Sequence, residues 1–331
     1  MYKRFKVIII LALVATLLIG CGQSNSKDNE EKEIVNNAVD NRPLLLNSEM
    51  DSVLVYFASE NGRYLVPTTL PIKPTKEAAK VSVEKVLAGP GDWLLSNTIP
   101  EDTKLRDIYI RENVAYIDLT DDFVNLGNYE DVERAINSLV LTLTEFYEVQ
   151  TVQFLIEGRI HEAIDGFSLD KPFMRPAFIN SLNPPSEDQK IIDVYFSDPN
   201  ALYLIPMGFG VDENSSVNQM VEIAMKELVS GPPLNTDLVK TIWSGTKVNS
   251  VSYEADRKLA IINLSEEVMG YGGGTSAEVF LVKSILFTLT AIDEVNEVQI
   301  LIDGERVDYL PEGMEISKPL SRPEHINYIN P

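Results

Sequence analysis

The sequence predicts an α+β protein of two homologous domains, each a β-β-α-β-β-α-β unit with two helices packed on one face of a sheet. Three observations carry that reading. Ser138–Arg159 (SLVLTLTEFYEVQTVQFLIEGR) returns at Ser284–Glu305 (SILFTLTAIDEVNEVQILIDGE), shifted by 146 residues with no slip across 22 positions, which marks a tandem duplication. Each half also opens on two apolar runs around a turn, and each holds two helical apolar stripes.

The chain begins with Lys3, Arg4 and Lys6, then the apolar run Val7–Gly20. That run is too short to span a bilayer, which needs about 20 residues, and has the size of a signal-peptide core. It ends Leu18-Ile19-Gly20-Cys21. This resembles a lipobox, in which the cysteine is acylated and becomes the new N-terminus, so residues 1–20 read as a lipoprotein signal peptide and Cys21 as the lipidation site. The plainer alternative is an ordinary secretory signal with an incidental cysteine. Cys21 is the only cysteine, which excludes an intramolecular disulfide and a multi-cysteine metal site. Residues 21–49 are rich in Ser, Asn, Lys and Glu and read as an acidic flexible tether.

The rest divides into a first domain at 50–183 and a second at 184–331. In the first, Val53–Ala58 and Arg63–Pro67 flank Ser59-Glu60-Asn61-Gly62, a hairpin signal. In the second, Asp193–Ser197 and Ala201–Pro206 flank Asp198-Pro199-Asn200. A helix follows in each. Thr75 is a candidate N-cap before the stripe Ala79, Val83, Val86 and Leu87, which Gly89-Pro90 stops. Ser216 and Gln219 have capping-box spacing before Val217, Met220, Val221, Ala224, Leu228 and Val229, which Gly231-Pro232 stops.

A second hairpin then joins Leu105–Ile110 to Val114–Leu119, matched by Val248–Tyr253 and Leu259–Leu264. The long helix comes next. Val132, Ala135, Ile136, Leu139, Val140, Leu143, Phe146 and Tyr147 share one helical face. In the second copy Gly272-Gly273-Gly274 lead into Thr275, with Glu278 in capping-box register. No Lys-Ser/Thr follows the glycines, so they read as a helix lead-in and not a phosphate loop. Val152, Phe154 and Ile156 alternate as a buried strand. Both copies close alike, on Arg175-Pro176-Ala177-Phe178-Ile179-Asn180 and Arg322-Pro323-Glu324-His325-Ile326-Asn327. The join Ser181–Asp188 is short enough that the two domains are expected to touch or to keep a limited range of angles.

The net charge of -22 disfavours nucleic acid and anionic lipid surfaces as partners. Chemistry-bearing clusters are few. His161 and His325 are the only histidines, and the other copy has Val307 and Phe178 at the matching positions, so both read as surface or packing residues and not as members of a triad or a metal cluster. Asp118, Asp121 and Asp122 could pair for glycoside hydrolysis or bind calcium. Their counterparts Asn263, Glu266 and Glu267 keep only part of that charge, and the plainer reading is acids at a helix N-terminus. Trp93 and Trp243 do not align and read as packing over their own cores, a ligand platform being the alternative. No catalytic, cofactor-binding or metal residues are assigned.

With the lipobox and both copies in hand, the chain resembles the GerMN (Germane) family of sporulation and germination lipoproteins. Tyr195-Phe196, Tyr203-Leu204-Ile205-Pro206, Glu227-Leu228-Val229-Ser230-Gly231-Pro232 and Ile300-Leu301-Ile302-Asp303-Gly304 carry the resemblance, with their first-copy counterparts, over about residues 50–331. The resemblance implies a non-enzymatic envelope protein of endospore formers, associated with the channel complex between mother cell and forespore and similar to ring-building modules. It implies an extracytoplasmic face, the outer forespore membrane, and no cofactor. Envelope or channel-complex proteins are the expected partners, contacted through a sheet edge, a helix face, or the divergent loops 90–104 and 232–246. The competing readings are a cell-wall glycan-processing enzyme and a small-ligand binding lipoprotein.

Overall fold

The protein is described by a computed structural model covering residues 42–184, 186, 188–270 and 273–330. In the first copy the elements are β1 (Met50–Ser59), β2 (Leu65–Thr75), α1 (Ala78–Ala88), β3 (Leu105–Arg111), β4 (Val114–Leu119), α2 (Tyr129–Leu143) and β5 (Thr151–Ile156). In the second they are β6 (Gln189–Ser197), β7 (Leu204–Asp212), α3 (Val217–Ser230), β8 (Val248–Glu254), β9 (Leu259–Leu264), α4 (Gly274–Leu289) and β10 (Glu297–Ile302). The α+β class and the repeated element order are therefore those read from the sequence.

The strands of each copy divide between two hydrogen-bonded sheets. Hairpin β1–β2, with Phe57 opposite Val66, is extended among the described residues by Leu95–Ser96 alone. A separate sheet runs β3–β4–β5, antiparallel then parallel, closed by Arg42–Pro43 along β3 and Phe173–Met174 along β5. The second copy repeats the plan with hairpin β6–β7 and sheet β8–β9–β10, closed by Leu320–Ser321 along β10. Its β8 edge carries no further strand among the described residues. The helices lie against both sheets of their copy, so they and not strand pairing join hairpin to sheet.

The hairpin strands are buried on both faces. Val53, Val55 and Phe57 enter the main core, while Tyr56 and Leu65 form a second cluster with Leu141. In β6, Ile192, Val194 and Phe196 enter the core and Tyr195 joins Leu204, Phe287 and Ile326. Leu54 packs against both smaller clusters, because the two hairpins cover each other's outer faces. The described residues accordingly form one compact unit.

Several local expectations change. Strand β2 runs on through Thr75, so α1 starts late with Glu77 at its cap, and Thr75 Oγ1 accepts the Glu77 N–H at 3.0 Å. Ser216 and Gln219 do form the expected capping box. At α4 Gly273 is the cap, leaving Thr275 inside the first turn. Glu278 turns inward, 1% exposed, and accepts the N–H groups of Glu312 and Met314 at 2.7 and 2.6 Å. Phe146 and Tyr147 lie past the end of α2, and Tyr147 is 96% exposed whereas the other seven residues of that stripe are buried. Trp93 and Trp243 are exposed and do not cover a core. The expected tether to residue 49 ends earlier, because Leu44 and Leu46 are buried and Arg42–Pro43 pairs with β3. Among the described residues no helix is long and apolar enough to cross a membrane.

Candidate functional site

The residues that recur between the copies have matching structural tasks. Thr142 and Thr288, on the inward faces of α2 and α4, accept the backbone N–H groups of Tyr56 and Tyr195 at 3.3 and 3.0 Å and so dock each hairpin on its long helix. Thr144 and Thr290 close the ends of those helices on Val140 O and Leu286 O. Gln153 and Gln299, buried in β5 and β10, donate to Leu169 O and Ile316 O. Glu157-Gly158 and Asp303-Gly304 turn the chain with positive φ at both residues.

Asp118 belongs to that last turn. Its Oδ1 accepts the Gly158 N–H at 2.8 Å and its Oδ2 the Arg106 Nε–H at 3.0 Å. Asn263 does the same for Gly304 at 2.7 Å without a charge. The acceptor oxygen is thus what the position supplies, and a carboxylate is not needed for it. Asp121, Asp122, Glu266 and Glu267 open short 3-10 turns ahead of the long helices, not those helices themselves. Among the described residues no group of three or more His, Cys, Asp or Glu could hold a metal ion. His161 is exposed beside Ala163 O, and His325 stacks on Tyr328 at 5.2 Å.

The distinctive site is the seam between the hairpins. Asn180, closing the first copy, accepts the Leu65 N–H at 2.8 Å and donates to Leu65 O and, across the seam, to Pro206 O, both at 2.9 Å. Asn327, closing the second, accepts the Leu204 N–H at 2.8 Å and donates to Leu204 O and, across the seam, to Pro67 O, both at 2.7 Å. Each asparagine therefore clasps its own second hairpin strand and the other copy's. Backbone bonds run beside them, Gly208 N–H to Asn180 O at 2.7 Å and Thr69 N–H to Ile326 O at 3.0 Å. Gly208 is needed here, since a Cβ would stand 2.7 Å from Phe178 Cβ. At one end of the seam Asn61 and Arg63 donate to Asp237 Oδ2 and Asn235 O at 2.5 and 2.8 Å.

The paired arginines lie beside this seam. Arg175 donates to Leu141 O, Thr144 Oγ1, the Tyr56 hydroxyl and Glu145 Oε1. Arg322 donates to Phe287 O and Thr290 Oγ1 and lies 4.7 Å over the Phe287 ring. Ala291 replaces Glu145 in the second copy, and Asp193 replaces Leu54. The acid near the arginine has moved from the turn after the long helix to a hairpin strand. Asp193 is partly buried, and its Oδ1 has no hydrogen-bond partner. Burial pushes its carboxyl up to about 6, against the pull of Arg175 and Arg322. Burial likewise raises the Tyr56 hydroxyl, with the neighbouring Glu145 adding to it.

The loops expected to carry contacts are only partly free. Leu94, Leu95, Ile99, Leu238 and Ile242 are buried, while Trp93 and Leu234 are 76% and 101% exposed. Cys21 lies outside the described residues.

Known proteins are similar to this chain in sequence and fold. The Germane family model, described as sporulation and spore germination, matches residues 54–162 and 193–308. The chain belongs to the Germane family. It is similar to the spore germination protein GerM of Bacillus subtilis (strain 168), 24% identical over 289 residues that make up 82% of this chain and 77% of that protein. It also resembles the solved tandem GerMN domains of the B. subtilis sporulation protein GerM, with a TM-score of 0.66 at 22% identity, covering 84% of this chain and all of that one. In this Germane chain both matched spans hold a hairpin, two helices and a parallel strand pair. Sequence reasoning found Asn180 and Asn327 as matched endings but missed their crossing to the other copy. It also missed Asp193, whose signal was a lone acid inside an apolar run.

Proposed function

We propose that this Germane protein is a non-enzymatic envelope lipoprotein acting in sporulation and spore germination as a scaffold. In this reading residues 1–20 are a signal peptide and acylated Cys21 holds the protein on the extracytoplasmic face of a membrane, the outer forespore membrane in an endospore former. Domains at 50–183 and 184–331 then meet proteins of the mother cell–forespore channel complex, in a possible ring. The observation that supports a scaffold most is the seam. The residues that recur in both copies are engaged in fixing hairpin, helix and tail, which leaves a stiff two-copy body held at a membrane. A fixed body beside a membrane raises the local concentration of its binding surface for a membrane-bound partner. The similarity to proteins named for sporulation and spore germination supports the setting.

The β8 edge, which carries no further strand among the described residues, is the surface that this reading favours, since an open strand edge accepts an added strand from another chain. The test is affinity capture of the acylated protein from sporulating cells beside its Cys21→Ser variant. Acyl labelling and co-purified envelope proteins are expected for the former and lost in the latter. Membrane retention unchanged by Cys21→Ser overturns the anchor. Release of glycan fragments from cell wall by the purified protein overturns the non-enzymatic reading.

A further inference from the structure

A cavity of about 220 Å³ opens where the two hairpin turns meet at one end of the seam. Its floor is apolar, formed by Val66, Leu94, Leu95, Ile205 and Leu238. Tyr64 and Tyr203, matching residues of the two copies, stand in its wall with three carboxylates, Glu60, Asp198 and Asp237. No Lys, Arg or His is in the lining.

The carboxylates are not equivalent. Asp198 is spent on its own turn, accepting the N–H groups of Asn200, Leu202 and Tyr203. Asp237 accepts from Asn61 through Oδ2, and its Oδ1 forms a long ion pair with Arg63 at 3.7 Å, at a position open to solvent. The Tyr64 hydroxyl, in a residue only 4% exposed, faces Asp237, and burial together with that carboxylate raises its pKa. Arg63 already lies over the Tyr64 ring at 5.5 Å, so this ring accepts a cation on its face. A negative rim, aromatic walls and an apolar floor suit a cation on an alkyl stem. The volume is below the roughly 300–1,000 Å³ of pockets for drug-sized ligands, which limits the occupant to a side chain or a small amine.

We propose that the cleft between the two hairpin turns binds a primary alkylammonium group, its stem on the Leu94, Leu95 and Leu238 floor and its charge against Asp237 and Glu60. The group can come from a free diamine or from a lysine side chain of a partner, and the chemistry recognised is the same.

The experiment is an NMR titration of the full-length chain in detergent with 1,5-diaminopentane and with a lysine-containing peptide, using 1-pentanol and pentanoate as neutral and anionic controls. Saturable shifts confined to the cleft are expected for the cationic probes. Glu60→Gln, at an exposed position, and Asp237→Asn are each expected to weaken binding, Asp237→Asn by about tenfold, the loss of one modest charge contact. Thermal melts of both variants separate a lost contact from lost folding. Binding of both cationic probes supports general amine recognition, and binding of the peptide alone supports a partner's lysine as the source. Absence of saturable binding by either, equal binding of 1-pentanol, or unchanged affinity in folded Asp237→Asn and Glu60→Gln variants overturns the proposal.

Discussion

Replacing Asp193 by Leu, the residue that the first copy carries at the matching position 54, should stabilise the protein at neutral pH and leave it unchanged in acid. In the folded state burial lifts the carboxyl from 3.8 to about 6. A group whose folded pKa lies above its unfolded value favours the fold when protonated. Its full contribution is present below the unfolded value and is lost as pH rises through about 6. Two pKa units correspond to about 3 kcal/mol. Asp193 is only partly buried, so solvent screening reduces this to about 1–2 kcal/mol. In a chain of this size that raises Tm by roughly 2–4 °C per kcal/mol. The assay is thermal unfolding of both proteins from pH 4 to pH 8. The Tm difference should open between pH 4 and pH 7 in favour of Asp193→Leu. A variant less stable at pH 7.5 would refute the reasoning, because it would mean that Arg175 and Arg322 outweigh the cost of burial.

Two further outcomes follow from the hydrogen bonds. Asn180→Ala removes one acceptor and two donated bonds, leaving Leu65 and Pro206 backbone groups unmatched in the seam. At about 1 kcal/mol per bond, and more where a buried group is left unpaired, it should cost about 2–4 kcal/mol by chemical denaturation, and the double variant with Asn327→Ala should show non-additive coupling. Asp118→Asn should cost under about 1 kcal/mol, since Asn263 does the same task and Arg106 is largely exposed, whereas Asp118→Ala loses the Gly158 bond and should cost about 1–3 kcal/mol in the same denaturation assay.

Period and punctuation made most of the elements legible. The three- and four-residue spacing from Val132 to Leu143 could only bury itself as a helix, and Gly89-Pro90 and Gly231-Pro232 stop α1 and α3 as helix chemistry requires. The seam was harder to read. Val53–Ala58 is apolar on both faces, which announces that both faces are covered but not by what. Asn180 stood out by repetition, yet no local rule says that an asparagine clasps a strand in a different copy. The Thr275/Glu278 pattern suggested a capping box, but the helix begins at Gly274 and Glu278 serves the 312–314 loop instead. Area alone argues for tryptophans lying over cores, yet Trp93 is among the most exposed large side chains.

A scaffold working through a free strand edge is tested most directly by blunting that edge alone. Ser250 and Ser252 lie exposed on β8, where charged side chains discourage strand addition. The double variant Ser250→Lys/Ser252→Lys should fold with a stability change within about 0.5 kcal/mol per site. The measurement is recovery of envelope proteins with the acylated chain from sporulating cells, read beside the thermal melt. Partners should be captured by the original chain and lost from the variant at unchanged Tm. Undiminished capture by the folded variant would contradict the scaffold reading.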